Sequence, residues 1–386
     1  MKKILSLALA IVLCGILPLA VLAADDAVPV PTDQEAKYAA RSVILMDADT
    51  GTVLFEQNAD EGLPPASVTK IMTLLLVMEA IDEGRASLTD TVTASEHAAS
   101  MGGSQIYLKV GEQMSVEDLV KSVVISSAND AALALAEHIY GSEEAFVAEM
   151  NKRAQELGMQ NSHFENTNGL DDTVQNHVMS ARDIALASRA LMRHETILQY
   201  SSIWMDTIRN GAFGLTNTNR LVRFYEGCTG LKTGSTSKAK FCISATAKRD
   251  GMHLIAVVMG AETRDERNDI ARQLLDWGFA NYALYSDGDI AFDPLTVLGG
   301  VADTVEVEAG DFSYIVDKGK LKQVRREIEL KQKLAAPIED GEEVGRVRYF
   351  MDDREIGSVP ITTCSGVSKI SFKQLLVRLF ERFVIA

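Results

Sequence analysis

The sequence predicts a mixed α/β domain, an antiparallel sheet flanked by helices, followed by a small all-β domain and a terminal amphipathic helix. Three observations carry this reading. The stretch from Ile71 to Ile81 is apolar except for Thr73 and Glu79, the pattern of a helix buried on nearly all sides. Phe241 to Ala247 and Leu254 to Met259 are strand-like runs joined across Arg249-Asp250-Gly251, whose Asp-Gly pair is a hairpin turn. Past Tyr285, short alternating runs such as Thr304 to Glu308 and Gly345 to Phe350 lie between turn residues.

The chain opens Met1-Lys2-Lys3, followed by an apolar run from Ile4 to Leu22 broken by Pro18, with small residues at Ala23 and Ala24. This predicts a cleaved secretory signal over residues 1–24 and an activity outside the cytoplasm. Leu13 before Cys14 argues against lipoprotein processing at that cysteine. Residues 25–36 are polar and contain prolines, as a flexible leader does. The main domain is expected over residues 37–283. It begins with two strands, Ser42 to Asp47 and Thr52 to Phe55, around Asp49-Thr50-Gly51, and continues into the buried helix. Residues 114–157 turn helical, with Val116, Leu119, Val120, Val123 and Val124 on one face and an alanine-rich continuation. Residues 158–180, rich in Asn, Gly and Asp, read as a long loop before a helix from Ala181 to Leu191. Asp265 to Trp277 closes the domain as a helix, and the small β domain spans 284–364. In residues 368–386, Phe372, Leu375, Leu376, Leu379, Phe380, Phe383 and Val384 share a face, with Lys369, Lys373, Arg378 and Arg382 as a basic patch. Too charged to span a bilayer, this helix is expected to lie in the membrane surface; the alternative is a helix packed on the β domain.

A formal charge of -16, made more negative by loss of Lys2 and Lys3 with the leader, argues against nucleic acid as a partner. The histidines at 97, 138, 163, 177, 194 and 253 have no metal-ligand spacing, so no metal is expected. Cys228 and Cys242 could pair across a hairpin; Cys364 would be left over.

Chemistry concentrates in three places. Ser67 and Lys70 share a face where the buried helix begins, which places a hydroxyl beside an amine. Burial lowers a lysine pKa and makes it a base for the serine, and the exposed amides of a first helical turn favour the negative charge that develops. The plainer alternative is a serine cap and a solvated lysine, and the same spacing recurs at Ser235 to Lys238. Ser127 and Asn129 lie in a polar loop wedged between apolar helices, either as a cap at Asn129 or Asp130 or as groups lining a site. Lys232-Thr233-Gly234 precedes Ser235 on a strand.

In this order and context the motifs Ser67-x-x-Lys70, Ser127-x-Asn129 and Lys232-Thr233-Gly234 are the set of the penicillin-binding proteins and serine β-lactamases. Over nearly its whole length the chain resembles the D-alanyl-D-alanine carboxypeptidases of the penicillin-binding protein 5 type. It shares the stretches Asn168-Gly169-Leu170-Asp171, Ser180-Ala181-Arg182-Asp183 and Thr263-Arg264-Asp265-Glu266-Arg267, the small β domain and the terminal helix. The resemblance implies a transpeptidase-like fold, no cofactor, peptidoglycan stem peptides as substrates, β-lactam antibiotics as ligands, and membrane anchoring through residues 368–386. It implies that Ser67 attacks the D-Ala-D-Ala carbonyl, Lys70 takes its proton, Ser127 relays a proton to the leaving nitrogen, and Asn129 holds the substrate and Lys70. It further implies that Lys232 supports the proton network, that the amides of Ser67 and Ser235 form the oxyanion hole, and that Thr233 and Arg267 bind the terminal carboxylate beside Gly234. Two departures are Ser235, where some members have histidine, and Thr218, where the pattern has arginine. A β-lactamase of the same superfamily is the alternative, though Glu165 lacks the asparagine four residues on that a class A enzyme would have. A noncatalytic wall-binding protein is a further one.

Overall fold

The computed structural model describes residues 38–172, 174–288 and 290–385; the expected signal and leader lie outside the described residues. In chain order, the elements that position the site are strands β1 (Ser42–Asp47) and β2 (Val53–Gln57) and helices α1 (Lys70–Asp82), α2 (Val116–Ser126), α3 (Asn129–Tyr140) and α4 (Ala181–Met192). Strands β3 (Cys228–Thr236), β4 (Lys240–Arg249) and β5 (Met252–Ala261) and helix α5 (Arg264–Asn281) follow.

The five strands form one antiparallel sheet in the order β2-β1-β5-β4-β3. Helices cover both faces, which is why β1 and β5 are buried at every position and read as continuous apolar runs. The strand period of two divides them between two cores. Ile44, Met46, Ile255 and Val257 face α1, α2 and α4, whereas Val43, Leu45, Leu254 and Ala256 face Ile270, Leu274 and Leu275 of α5. The turn between β4 and β5 has positive φ at both Asp250 (49°) and Gly251 (82°), the conformation a two-residue hairpin needs and Asp-Gly tolerates. A capping box closes the start of α5, with Thr263 accepting from the Glu266 amide and Glu266 accepting from the Thr263 amide.

The pairing of Cys228 with Cys242 that the sequence left open does not occur. The strands register Cys228 opposite Ala247 and Cys242 opposite Gly234, so the two thiols sit at different ends of the β3–β4 pair, and both are free. Their separation of 14 residues suggested two arms of a hairpin, but both arms are longer than that spacing assumed.

Helix α5 leads directly into strand Tyr282–Asp287, which pairs with Phe312–Asp317 and opens a β-rich unit. Val347, Tyr349, Ile361 and Val344 form its centre, with Tyr349 stacked on Phe312 at a centroid distance of 3.8 Å. The chain ends in α6 (Phe372–Ile385), which exposes Phe372 (78%) and Phe380 (67%), while Arg378 ties it back to the β unit by donating to Asp303 Oδ1 at 2.8 Å. No helix among the described residues is long and apolar enough to cross a membrane.

Candidate active site

Ser67 sits in a 3-10 turn, Ala66–Thr69, and α1 begins only at Lys70; the serine therefore precedes the α-helix instead of occupying its first turn. The turn is enforced from two sides. Ala66 has φ 48°, a left-handed conformation unusual for a residue with a Cβ. Gly169 lies so close that an added Cβ would fall 1.8 Å from the Ala66 carbonyl oxygen, and a Cβ on Gly234 would meet the Ser67 amide nitrogen at 2.8 Å. Both the long loop and β3 thus press their backbones against the turn, which only glycine permits.

The outcome is a half-buried Ser67 over a fully buried Lys70. Lys70 Nζ donates to Ser67 Oγ at 2.9 Å and to the Asn168 carbonyl at 2.9 Å. Burial holds the Lys70 amine well below its ordinary pKa; the nearby Lys232 adds to this, and buried Asp130 partly opposes it. The neutral amine so favoured can accept the Ser67 proton.

Ser127 terminates α2 with φ 66°, and Lys232 Nζ donates to its Oγ at 2.9 Å and to the Thr233 carbonyl at 3.0 Å. Burial, then the charge of Arg267, lowers the Lys232 pKa to about 7. Asn129 is not a cap: Ala128 is the N-cap of α3 and makes no side-chain bond. Asn129 Nδ2 donates to the Gly102 carbonyl at 2.7 Å, and its Oδ1 is buried without a partner among the described residues. The expected hold of Asn129 on Lys70 is absent, because the lysine's second bond goes to Asn168. Asp130 is no cap either. Its carboxylate accepts from the amides of Ile106, Leu108 and Ala131, fixing the loop that brings Ser104 to the cleft.

Thr233, Gly234 and Ser235 lie on β3, the free edge of the sheet, and line a cleft of 660 Å³ with Ser67, Ser127 and Arg267. Thr233 Oγ1 donates to Thr218 Oγ1 at 2.7 Å. Arg267 is 3% exposed and donates to the Cys242 carbonyl and to Asn268 Oδ1, with no carboxylate partner among the described residues. Burial lowers its pKa to about 10. The three motifs and Arg267 are thus brought to one place; Arg264 of the same Thr263–Arg267 stretch lines the cleft too, as do Ser104, Trp204, Arg220 and Phe224, which carried no signal of their own in the sequence.

The long loop is braced behind the nucleophile. His177 Nδ1 accepts from the Glu165 amide at 3.0 Å, which leaves Nε2 to donate to Thr69 Oγ1 at 2.8 Å; Thr69 in turn donates to the Ala66 carbonyl. Burial lowers the His177 pKa to about 4, consistent with this neutral tautomer. The Glu165 carboxylate accepts from the amides of Gln175 and Asn176 within its own loop.

Residues 29–263 match the family model described as D-alanyl-D-alanine carboxypeptidase, and residues 279–369 match that of the penicillin-binding protein 5 C-terminal domain. The chain is 41% identical over 352 residues to D-alanyl-D-alanine carboxypeptidase DacF of Bacillus subtilis, covering 89% of this chain and 90% of the relative. It is 36% identical over 344 residues to DacC of Escherichia coli, covering 86% and 85%. Penicillin-binding protein 5 from Haemophilus influenzae superposes with a TM-score of 0.73 at 33% identity, over 87% of this chain and 99% of that one. Penicillin-binding protein D2 from Listeria monocytogenes, in an ampicillin-bound form, superposes with a TM-score of 0.58 at 32% identity, over 64% of this chain and 99% of that one.

Proposed function

From the premise that the chain belongs to the D-alanyl-D-alanine carboxypeptidase family and is a serine carboxypeptidase and penicillin-binding protein, we propose that Ser67 is its nucleophile and the 660 Å³ cleft its peptide site. The observation that carries this reading is the 2.9 Å contact between Ser67 Oγ and a buried, pKa-lowered Lys70.

In the forward step Lys70 accepts the Ser67 proton as Oγ attacks the carbonyl between two terminal D-alanines of a peptidoglycan stem. The amides of Ser67 and Ser235 receive the oxyanion, a contribution of about 3 kcal/mol per donor in comparable sites. Gly234 supports this by allowing β3 to lie against the Ser67 amide. The proton passes through Ser127, held by Lys232, to the departing nitrogen, and water then cleaves the acyl-enzyme. Thr233 and Arg267 take the terminal carboxylate, and the unpartnered Asn129 Oδ1 accepts from the substrate's amide. The free edge of β3 aligns the peptide as an added strand.

A long-lived penicilloyl-enzyme, in contrast to β-lactamase turnover, is supported by the carboxylates. Glu165 is committed to its own loop, and no carboxylate hydrogen-bonds Ser67 or Lys70 among the described residues. We also place the protein on the outer face of the plasma membrane, with the exposed apolar side chains of α6 in the lipid surface. Release of D-alanine from diacetyl-Lys-D-Ala-D-Ala by wild type and its loss in Ser67→Ala is the expected result; equal release by both would overturn the assignment.

A further inference from the structure

Two features of the sequence take no part in the reaction as proposed: the side chain of Lys238, in the second Ser-x-x-Lys spacing, and Asp171, which ends the Asn168–Asp171 stretch. In the structure they meet. Thr236, the last residue of β3, donates its hydroxyl to the Asp171 carboxylate, and Lys238 Nζ donates to the Asp171 carbonyl at 2.6 Å. Thr236 Oγ1 also accepts from the Ala239 amide at 2.9 Å, so one hydroxyl shapes the β3–β4 turn and ties it to the long loop. The loop end of this tie is itself held fast. The Thr167 carbonyl accepts from Thr73 of α1 at 2.6 Å and its amide donates to Glu143 at 3.0 Å, while Asn166 accepts from the Gly169 amide and donates to the Leu170 carbonyl. Asn168, within the same loop, supplies the carbonyl that holds Lys70.

The strand end of the tie is the part that needs it. β3 pairs with β4 alone, and its other edge is free. Ser235, whose amide is the second oxyanion donor on the proposed mechanism, precedes Thr236 directly and is exposed at the cleft. A donor stabilises a developing oxyanion only if it is already aimed at it, and the end of an edge strand beside its turn is where a backbone frays. We propose that Asp171 and Thr236 are positioning residues of the oxyanion hole: their contact, with Lys238 as a second tie, fixes the end of β3 and so holds the Ser235 amide in place beside Ser67. This rests on the reading that the Ser235 amide receives the oxyanion. The loop that places an acceptor for Lys70 then also places the oxyanion donor, so activation of the nucleophile and stabilisation of the oxyanion share one frame.

The test compares, on the full chain, kcat/KM for the ester diacetyl-Lys-D-Ala-D-lactate with that for its thiono analogue, in which sulfur replaces the scissile carbonyl oxygen. Sulfur is larger and a weaker hydrogen-bond acceptor, so a well-aimed oxyanion hole penalises it. Wild type should favour the oxygen ester on the order of a hundredfold, the scale of one oxyanion donor. Thr236→Val, which removes the hydroxyl and keeps the shape, should bring that ratio down to about tenfold, and Thr236→Ser should restore it. Asp171→Ala should lower the ratio by the same factor, and the double variant no further, because both substitutions break one contact. A ratio within one protein does not depend on the fraction folded, so a merely structural role would leave it unmoved. An unchanged ratio in Thr236→Val, or losses that multiply in the double variant, overturns the positioning role alone; a wild-type ratio near one overturns the oxyanion reading with it.

Discussion

The β-rich unit and the cleft handle positive charge in opposite ways. On the β unit Arg325 reaches Glu327 and Asp353, Arg326 reaches Asp287, and Arg348 reaches both Glu329 and Glu355. In the cleft, Lys70, Lys232 and Arg267 are buried together with no carboxylate in contact, and Asp130 is felt only at a distance. Exposed pairs contribute little to stability, because water already screens them. Buried, mutually repelling cations cost stability; burial first, and their repulsion second, depresses the lysine pKa values until an amine can serve as a base. On the proposed mechanism, the contrast separates exposed, paired charge on the β unit from buried charge that would meet a substrate carboxylate and carry a proton.

Removing the base should break the contrast most severely. Lys70→Ala is expected to lower kcat for D-alanine release on the order of a thousandfold, the usual range for loss of a positioned general base. A loss of less than tenfold would mean that another group activates Ser67. Arg267→Gln comes next. Loss of the buried carboxylate partner should reduce kcat/KM about a hundredfold. Because Arg267 helps hold the Lys232 pKa near 7, the variant should also move that titration upward, an effect readable in the pH profile. An unshifted profile would show that the two cations are not coupled.

The brace behind the turn predicts an acid-side loss of stability. The folded His177 pKa of about 4 lies below its ordinary 6.5, so as pH falls the unfolded chain takes up the proton first. The contribution is complete above about 6.5 and is lost as pH falls through 4, amounting to roughly 3 kcal/mol. His253, also near 4, acts in the same window. His177→Gln should flatten part of the pH dependence of urea unfolding; an unchanged slope would contradict the brace. The smallest effect belongs to the other side of the comparison. Arg348→Gln on the β unit should leave both the urea unfolding midpoint and D-alanine release nearly unchanged, because its ion pairs are solvent-exposed.

Much of this was legible in residue type and spacing. The motifs name Ser67, Lys70, Ser127, Asn129 and Lys232, and the apolar run from Ile71 places a base in a buried helix. What was not legible comes from groups without a sequence signature. The second partner of Lys70 is a main-chain carbonyl from Asn168, 98 residues away. The 3-10 turn at Ser67 is imposed by Gly169 and Gly234, whose role depends on what packs against them. The cysteine spacing left the pairing open for a related reason, since strand register places the thiols and distance along the chain does not.

The most direct measurement is intact-mass spectrometry of the protein with penicillin G, followed by peptide mapping. A lasting penicilloyl adduct on Ser67, absent in Ser67→Ala, is the result predicted from a lysine-activated serine with no deacylating carboxylate beside it. Rapid penicillin turnover without an adduct, or an adduct on another residue, would contradict it.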